Sequence, residues 1–224
     1  MGTCSRPTDA GRPPRRPPSV RTLAWIALFG VLLLTGALRD SDPPRPTAAQ
    51  AGSPPGARAV PGTAPNGTAL QPLPASDPVR IRIPAIEVDA FLTRLELDAG
   101  GALRPPPVTA PALAGWYADG TAPGARGTAV VAGHVDTPSG PAVFHRLGAL
   151  GKGAEIAVDR QDGRTALFTV DAVEVHAKDD FPDEKVYAGS ERAELRLITC
   201  GGDWSRKTGY QANTVVYATM NAVR

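Results

Sequence analysis

Thr128-Ala129-Val130-Val131-Ala132-Gly133-His134-Val135-Asp136-Thr137 and Glu194-Leu195-Arg196-Leu197-Ile198-Thr199-Cys200-Gly201-Gly202 are the two stretches around which this chain of 224 residues is built. Each is a short apolar run of β-favouring residues that ends on one reactive side chain. The first delivers His134 and the second Cys200. A strand that stops at a glycine or a reactive group carries that group to the rim of a sheet, within reach of a substrate. A thiol and an imidazole brought together in this way form the minimal pair of nucleophile and acid/base for acyl transfer.

Outward from these two runs the pattern stays β. Val79-Arg80-Ile81-Arg82-Ile83 alternates and ends at Pro84, as a half-buried strand does. Residues 86–88 and 91–97 continue as short strands, and Asp98-Ala99-Gly100-Gly101 reads as a turn. Residues 105–127 hold Pro105-Pro106-Pro107, Gly115-Trp116-Tyr117 and Pro123-Gly124, which predicts a loop-rich excursion. Residues 143–150 predict one short helix. Strands are expected at 155–159 and 165–176, around a turn at Gln161-Asp162-Gly163-Arg164. Residues 177–189 read as a loop with a helical turn near Val186-Tyr187, and 214–220 as the last strand. Many short strands with frequent turns make an all-β sandwich or barrel, and no internal repeat is visible.

The first third of the chain is different in kind. Proline and glycine each number 24. The prolines concentrate in the first half, which marks a composite chain. Residues 1–21 carry Arg6, Arg12, Arg15, Arg16 and Arg21 without apolar periodicity, so a disordered cytoplasmic tail is expected. Residues 22–38 carry no charge. As a helix they reach ~26 Å against a ~30 Å hydrocarbon core, a deficit that flanking residues or a thinner membrane absorb. The basic flank keeps the N-terminus inside. The expectation is a single-pass transmembrane anchor in the cell membrane, with the rest of the chain extracellular. The alternative is a cleaved signal peptide with Thr35-Gly36-Ala37 at the cleavage site. Residues 39–76 are a Pro/Ala/Gly-rich linker. Residues 77–224 are read as the folded domain, expected to be catalytic.

Composition excludes some classes. A net charge of +2 argues for no strong field, and the basic cluster near the N-terminus is local, so nucleic acid is not expected as a partner. Cys4 sits in a polar tail and Cys200 at a strand end, so no structural disulfide is expected between them. No metal-ligand spacing exists, and no cofactor is expected. Cys200 is thus the only cysteine of a domain read as extracellular. Its Gly201-Gly202 neighbours suggest an open edge rather than inert packing. A reactive thiolate needs a nearby cationic group. His134 has the titration range for giving a proton to a leaving amine. Asp136, two residues on, could orient the imidazole or form a turn. His145 and His176 carry weaker signals.

At this point a family resemblance becomes specific. Val130-Val131-Ala132-Gly133-His134-Val135-Asp136 resembles the histidine strand of the sortases, and Leu195-Arg196-Leu197-Ile198-Thr199-Cys200 resembles their cysteine strand. Val79-Arg80-Ile81-Arg82-Ile83-Pro84 is similar to their first strand, and Phe181-Pro182 with Val186-Tyr187 to the segment before the cysteine strand. Gly201-Gly202 and Gly140-Pro141-Ala142-Val143-Phe144 resemble class F members, of the actinobacterial type. The likeness covers about residues 77–222. It implies a closed, eight-stranded β-barrel with short helices in the loops. It also implies a cysteine transpeptidase that cleaves a C-terminal sorting motif of the Leu-Pro-x-Thr-Gly kind in secreted proteins. Cys200 would be the nucleophile and His134 the general acid/base. A cell-wall peptidoglycan precursor would supply the accepting amine, and a monomer is expected.

One departure stands out. Where sortases place an Arg about a dozen residues after the cysteine, this chain has Asn213. Either Asn213 does a diminished version of that job, or a loop cation does it. Arg206 is favoured over Lys207 for its fork geometry. Arg196 lies on the face of Cys200 but ~13 Å back along the strand. Trp116, Tyr117, Val186 and Trp204 are candidates to line the groove for the substrate's Leu and Pro. Two other readings stay open: a cysteine peptidase or amidase in which water resolves the thioester, and a non-enzymatic barrel that binds extended peptide.

Overall fold

Alternating side chains build the first wall of the domain. In β1 (Pro78–Ile83), Ile81 and Ile83 are fully buried, while Arg80 and Arg82 turn outward. Outside, Arg80 pairs with Asp89 of β2 (Val88–Leu95) and Arg82 with Asp159 of β7 (Glu155–Arg160), at 2.5 and 2.6 Å. Val79 leaves the expected alternation and is exposed, because the pairing with β7 slips between Pro78 and Arg80. These three strands belong to a closed barrel with β3 (Ala114–Tyr117), β4 (Gly127–Ala132), β8 (Thr165–Ala177), β9 (Ala193–Ser205) and β10 (Gly209–Val223). The order around the barrel is β1-β2-β3-β4-β9-β10-β8-β7, which closes on β1. A separate small hairpin joins β5 (Asp136–Thr137) to β6 (Gly140–Pro141). The expected all-β, closed, eight-stranded architecture is the one that forms.

This computed structural model describes residues 43–47 and 70–224. The expected tail, the apolar stretch 22–38 and most of the expected linker lie outside the described residues. Among the described residues no helix is long and apolar enough to cross a membrane.

Two pairings matter for the site. β2 with β3 and β4 with β9 run parallel, and the other barrel neighbours run antiparallel. β4 is a nearly continuous buried run, as a strand covered on both faces should be. Its inward residues Ala129 and Val131 join Ile81, Ile83, Phe168, Leu195 and Leu197 in one core. Each large side chain buried there contributes ~1.5–3 kcal/mol over its exposed state. A smaller apolar cluster lies on the opposite face of the wall. It joins Ala172, Val215 and Tyr217 to Val186 of the short helix α1 (Asp183–Tyr187), with Phe181 and Ile198 packed against it.

Two expectations fail locally. The helix expected at 143–150 is only a single 3-10 turn, Leu147–Ala149. Gly148 within it and Gly151 just after it leave too short a run to sustain a helix. A β-carbon on Gly148 would lie 1.9 Å from the Pro44 carbonyl oxygen, so residues 43–47 can pack here only because position 148 has no side chain. Conversely, the excursion 105–127 contains a strand. β3 pairs with both β2 and β4, and its Trp116 is buried with its indole N–H donating to the Thr121 carbonyl at 2.9 Å. Residues 86–88 are not a continuous strand either. A 3-10 turn, Pro84–Ile86, ends on Glu87 in the left-handed region at φ 58° before β2 begins.

Candidate active site

The register of β4 against β9 brings the two reactive motifs together. Ala132 pairs with Ile198, and the Gly133 N–H extends the ladder by donating to the Ile198 carbonyl at 3.2 Å. Two residues past each member of the Ala132–Ile198 pair stand His134 and Cys200. His134 lies just past the end of β4 and Cys200 on its parallel neighbour β9, so both come to the same end of this pair of strands. Alternation decides which face Cys200 takes. Leu195 and Leu197 point into the barrel, so Arg196, Ile198 and Cys200 point out. The pair therefore sits on the outer face of the barrel wall, where β4 ends and β9 runs on. Gly133 is required for this. A β-carbon there would meet Phe144 at 2.6 Å and Val143 at 2.7 Å.

His134 and Cys200 line one cleft of about 740 Å3. Its volume falls within the usual range of ligand pockets. Val130, Ala132, Ile198, Leu97, Leu103 and Tyr117 give it an apolar wall. Cys200 is a free thiol and is partly exposed. His134 is held from above by the loop of prolines: its Nε2 lies 2.7 Å from the Pro106 carbonyl oxygen. A carbonyl only accepts, so Nε2 donates in this hydrogen bond. On its other side Cys200 borders a smaller cavity of about 220 Å3, which Pro43, Pro44, Arg45 and Pro46 share with Gly201 and Gly202. Arg45 pairs there with Asp203 at 2.7 Å, in full view of solvent.

The remaining sequence candidates divide. Asn213 is the antiparallel partner of Cys200 on β10 and lines the cleft. Arg206 does not reach it. It lies exposed in the turn that joins β9 to β10, six residues beyond Cys200 and roughly 20 Å on at strand rise. Lys207 shares that turn. Arg196 is committed elsewhere, to Glu194 at 2.7 Å and to the face of Tyr217. Asp136 does not orient the imidazole: its carboxylate accepts from the Tyr210 hydroxyl, and the Pro106 carbonyl holds the ring. Among the groove candidates Tyr117 lines the cleft. Trp116 is in the core, Val186 is the buried residue of α1, and Trp204 is exposed farther along β9. Packing claims the first two because both lie on inward-facing or covered positions. His176 pairs in register with Asn213 on the far side of β10. Burial against Phe181 and Tyr217 pushes it below the usual imidazole range, against the pull of Glu174.

Sequence reasoning missed one group. The Lys178 ammonium stands 3.9 Å from the Cys200 sulfur. Nothing local marks it, since it follows β8, two strands away from β9. Among the described residues no group of three or more His, Cys, Asp or Glu side chains could hold a metal ion.

A family model described as a sortase domain matches residues 81–221, more than half of the chain. The chain belongs to the sortase family. Sortases are cysteine transpeptidases that act on proteins bearing a sorting signal and on amine nucleophiles. The barrel of this sortase is similar to that of sortase A from Listeria monocytogenes, with a TM-score of 0.50 at 16% identity over 67% of this chain and 90% of that one. It is also similar to sortase C-1 from Actinomyces oris, with a TM-score of 0.50 at 22% identity over 65% of this chain and 76% of that one. At such identities the likeness speaks for the fold alone. A search of curated proteins found no significant sequence match to this sortase.

Proposed function

We propose that this sortase cleaves a Leu-Pro-x-Thr-Gly-like sorting motif of secreted proteins and transfers the new C-terminus to a cell-wall amine. The observation that carries the proposal is that His134 and an accessible Cys200 open side by side into one apolar cleft. In this scheme the Cys200 thiolate attacks the Thr carbonyl carbon and forms a tetrahedral oxyanion. The C–N bond then breaks, His134 gives its proton to the departing Gly amine, and a thioester remains. An incoming amine attacks the thioester, gives a proton to His134 and forms the new amide, and the thiolate is released. The apolar wall suits the Leu and Pro side chains of such a motif.

Gly201-Gly202 and the run from Gly140 to Phe144 support a class F assignment. The uncharged stretch 22–38 behind a basic flank supports a single-pass anchor, with the catalytic domain outside the cell.

Incubation with a sorting peptide and rising concentrations of a small amine, read by mass spectrometry, tests the reading. A transfer product that grows with amine is expected. Hydrolysis alone at high amine would make the protein a peptidase in which water resolves the thioester. Unaltered peptide, with surface display in cells unaffected by Cys200→Ala, would make it a binding barrel.

A further inference from the structure

Three observations meet at the Cys200 sulfur. Its partner across β10, Asn213, is neutral. Among the described residues that line the cleft there is no lysine or arginine. Yet an ammonium is present, because Lys178 Nζ lies 3.9 Å from Sγ. Topology explains how it gets there. β10 separates β8 from β9, with Ala177 opposite Ala212 on one side and Cys200 opposite Asn213 on the other. The Lys178 N–H continues that ladder past the end of β8, donating to the Gln211 carbonyl at 3.0 Å. Strands two apart are ~10 Å from each other, so only a long side chain crosses β10. The lysine stem does so. Among the described residues its ammonium makes no ion pair with a carboxylate, so its charge is not neutralised there.

We propose that Lys178 is a catalytic residue of this sortase, holding the Cys200 thiolate before attack and the oxyanion of the tetrahedral intermediate after it. The inference rests on the assignment of Cys200 as nucleophile. A cation at this distance favours both anionic species over the neutral thiol and the neutral carbonyl, which lowers the barrier of acylation. Lysine supplies a point charge on a flexible stem rather than a rigid fork. Its contribution therefore falls at or below the low end of the range seen for single oxyanion donors.

The test uses the full chain and the variants Lys178→Ala, Lys178→Gln, Lys178→Arg and Cys200→Ala. Two readouts are taken. One is kcat and KM for peptide transfer. The other is the ratio of Cys200 alkylation rates with iodoacetate, which is anionic, and iodoacetamide, which is neutral. A positive charge beside the sulfur accelerates the anionic reagent selectively, and a purely structural role does not. Lys178→Ala and Lys178→Gln are expected to lower kcat about 10- to 100-fold with KM little changed, and to lower the reagent ratio. Lys178→Arg is expected to restore most of both. An unchanged kcat, or a lowered kcat with an unchanged reagent ratio, would overturn the role of Lys178. Transfer activity that survives Cys200→Ala would instead overturn the nucleophile assignment, whatever Lys178 does.

Discussion

The two flanks of Cys200 are built differently. On the β4 side the imidazole of His134 comes two residues after the parallel pairing of β4 with β9 ends. On the β10 side the register partner is an amide, and the positive charge comes from Lys178, beyond the end of the next strand. One flank is therefore rigid, held by Gly133 and the Pro106 carbonyl. The other is assembled from three strands by one long, exposed side chain. A proton relay needs a positioned ring, whereas electrostatic support tolerates a point charge on a flexible arm. The difference teaches that a neutral register partner need not leave the sulfur without a cation.

His134→Ala should give the largest effect on activity. Loss of the general acid/base is expected to lower the rate of peptide transfer by roughly 10²–10⁴, measured with the same peptide and amine as the wild type. A smaller loss than that of Lys178→Ala would invert the contrast between the flanks. Leu197→Ala strikes the strand that both flanks share. This fully buried residue faces the barrel core two positions before Thr199, and its truncation should cost about 2–5 kcal/mol of stability in urea unfolding. Asn213→Ala should matter less than either. It removes at most one neutral donor, about 0.5–1.5 kcal/mol, or roughly two- to tenfold in kcat. A loss of a hundredfold or more would move the electrostatic role from Lys178 to Asn213.

Two further outcomes sharpen the picture at a finer scale. Gly148→Ala would place a β-carbon against the Pro44 carbonyl and should displace residues 43–47 from their place beside Cys200. Faster labelling of Cys200 by a bulky maleimide, with an unchanged circular dichroism spectrum, is expected. The smallest effect is one of pH. Burial lowers the pKa of His176 from 6.5, so the unfolded chain binds that proton more readily than the folded one. The stability contributed by neutral His176 is fully present above about pH 6.5 and is lost as pH falls towards the folded value. Urea midpoints at pH 7.5 and 5.5 should therefore drop less in His176→Phe than in the wild type.

How much of this was legible along the chain follows from the same contrast. The barrel strands announced themselves by period-2 alternation, as at Ile81 and Ile83, or by continuous apolar runs, as in β4. His134 and Cys200 were legible because each closes such a run. β3 was not, since four residues between prolines carry too little pattern, and its pairing with two distant strands makes it a strand. The 143–150 segment misled in the other direction: its apolar spacing suggested a helix that Gly148 and Gly151 do not sustain. Arg206 looked eligible as a fork-shaped cation in the loop after Cys200, but a hairpin carries near neighbours away from each other at strand rise. Lys178 was invisible for the opposite reason. It comes 22 residues before Cys200, and only the closure β9-β10-β8 brings it back. Asp136 shows that spacing on one strand says little once the strand ends: β4 stops at Ala132, and the carboxylate turns to Tyr210.

The most direct measurement is to mix the protein with a sorting peptide, quench before amine is added, and map the added mass by peptide fragmentation. The acyl group should sit on the Cys200 sulfur, disappear on addition of an amine with formation of the transfer product, and be absent in Cys200→Ala. An acyl group on any other residue, or turnover that persists without this thiol, would contradict the assignment.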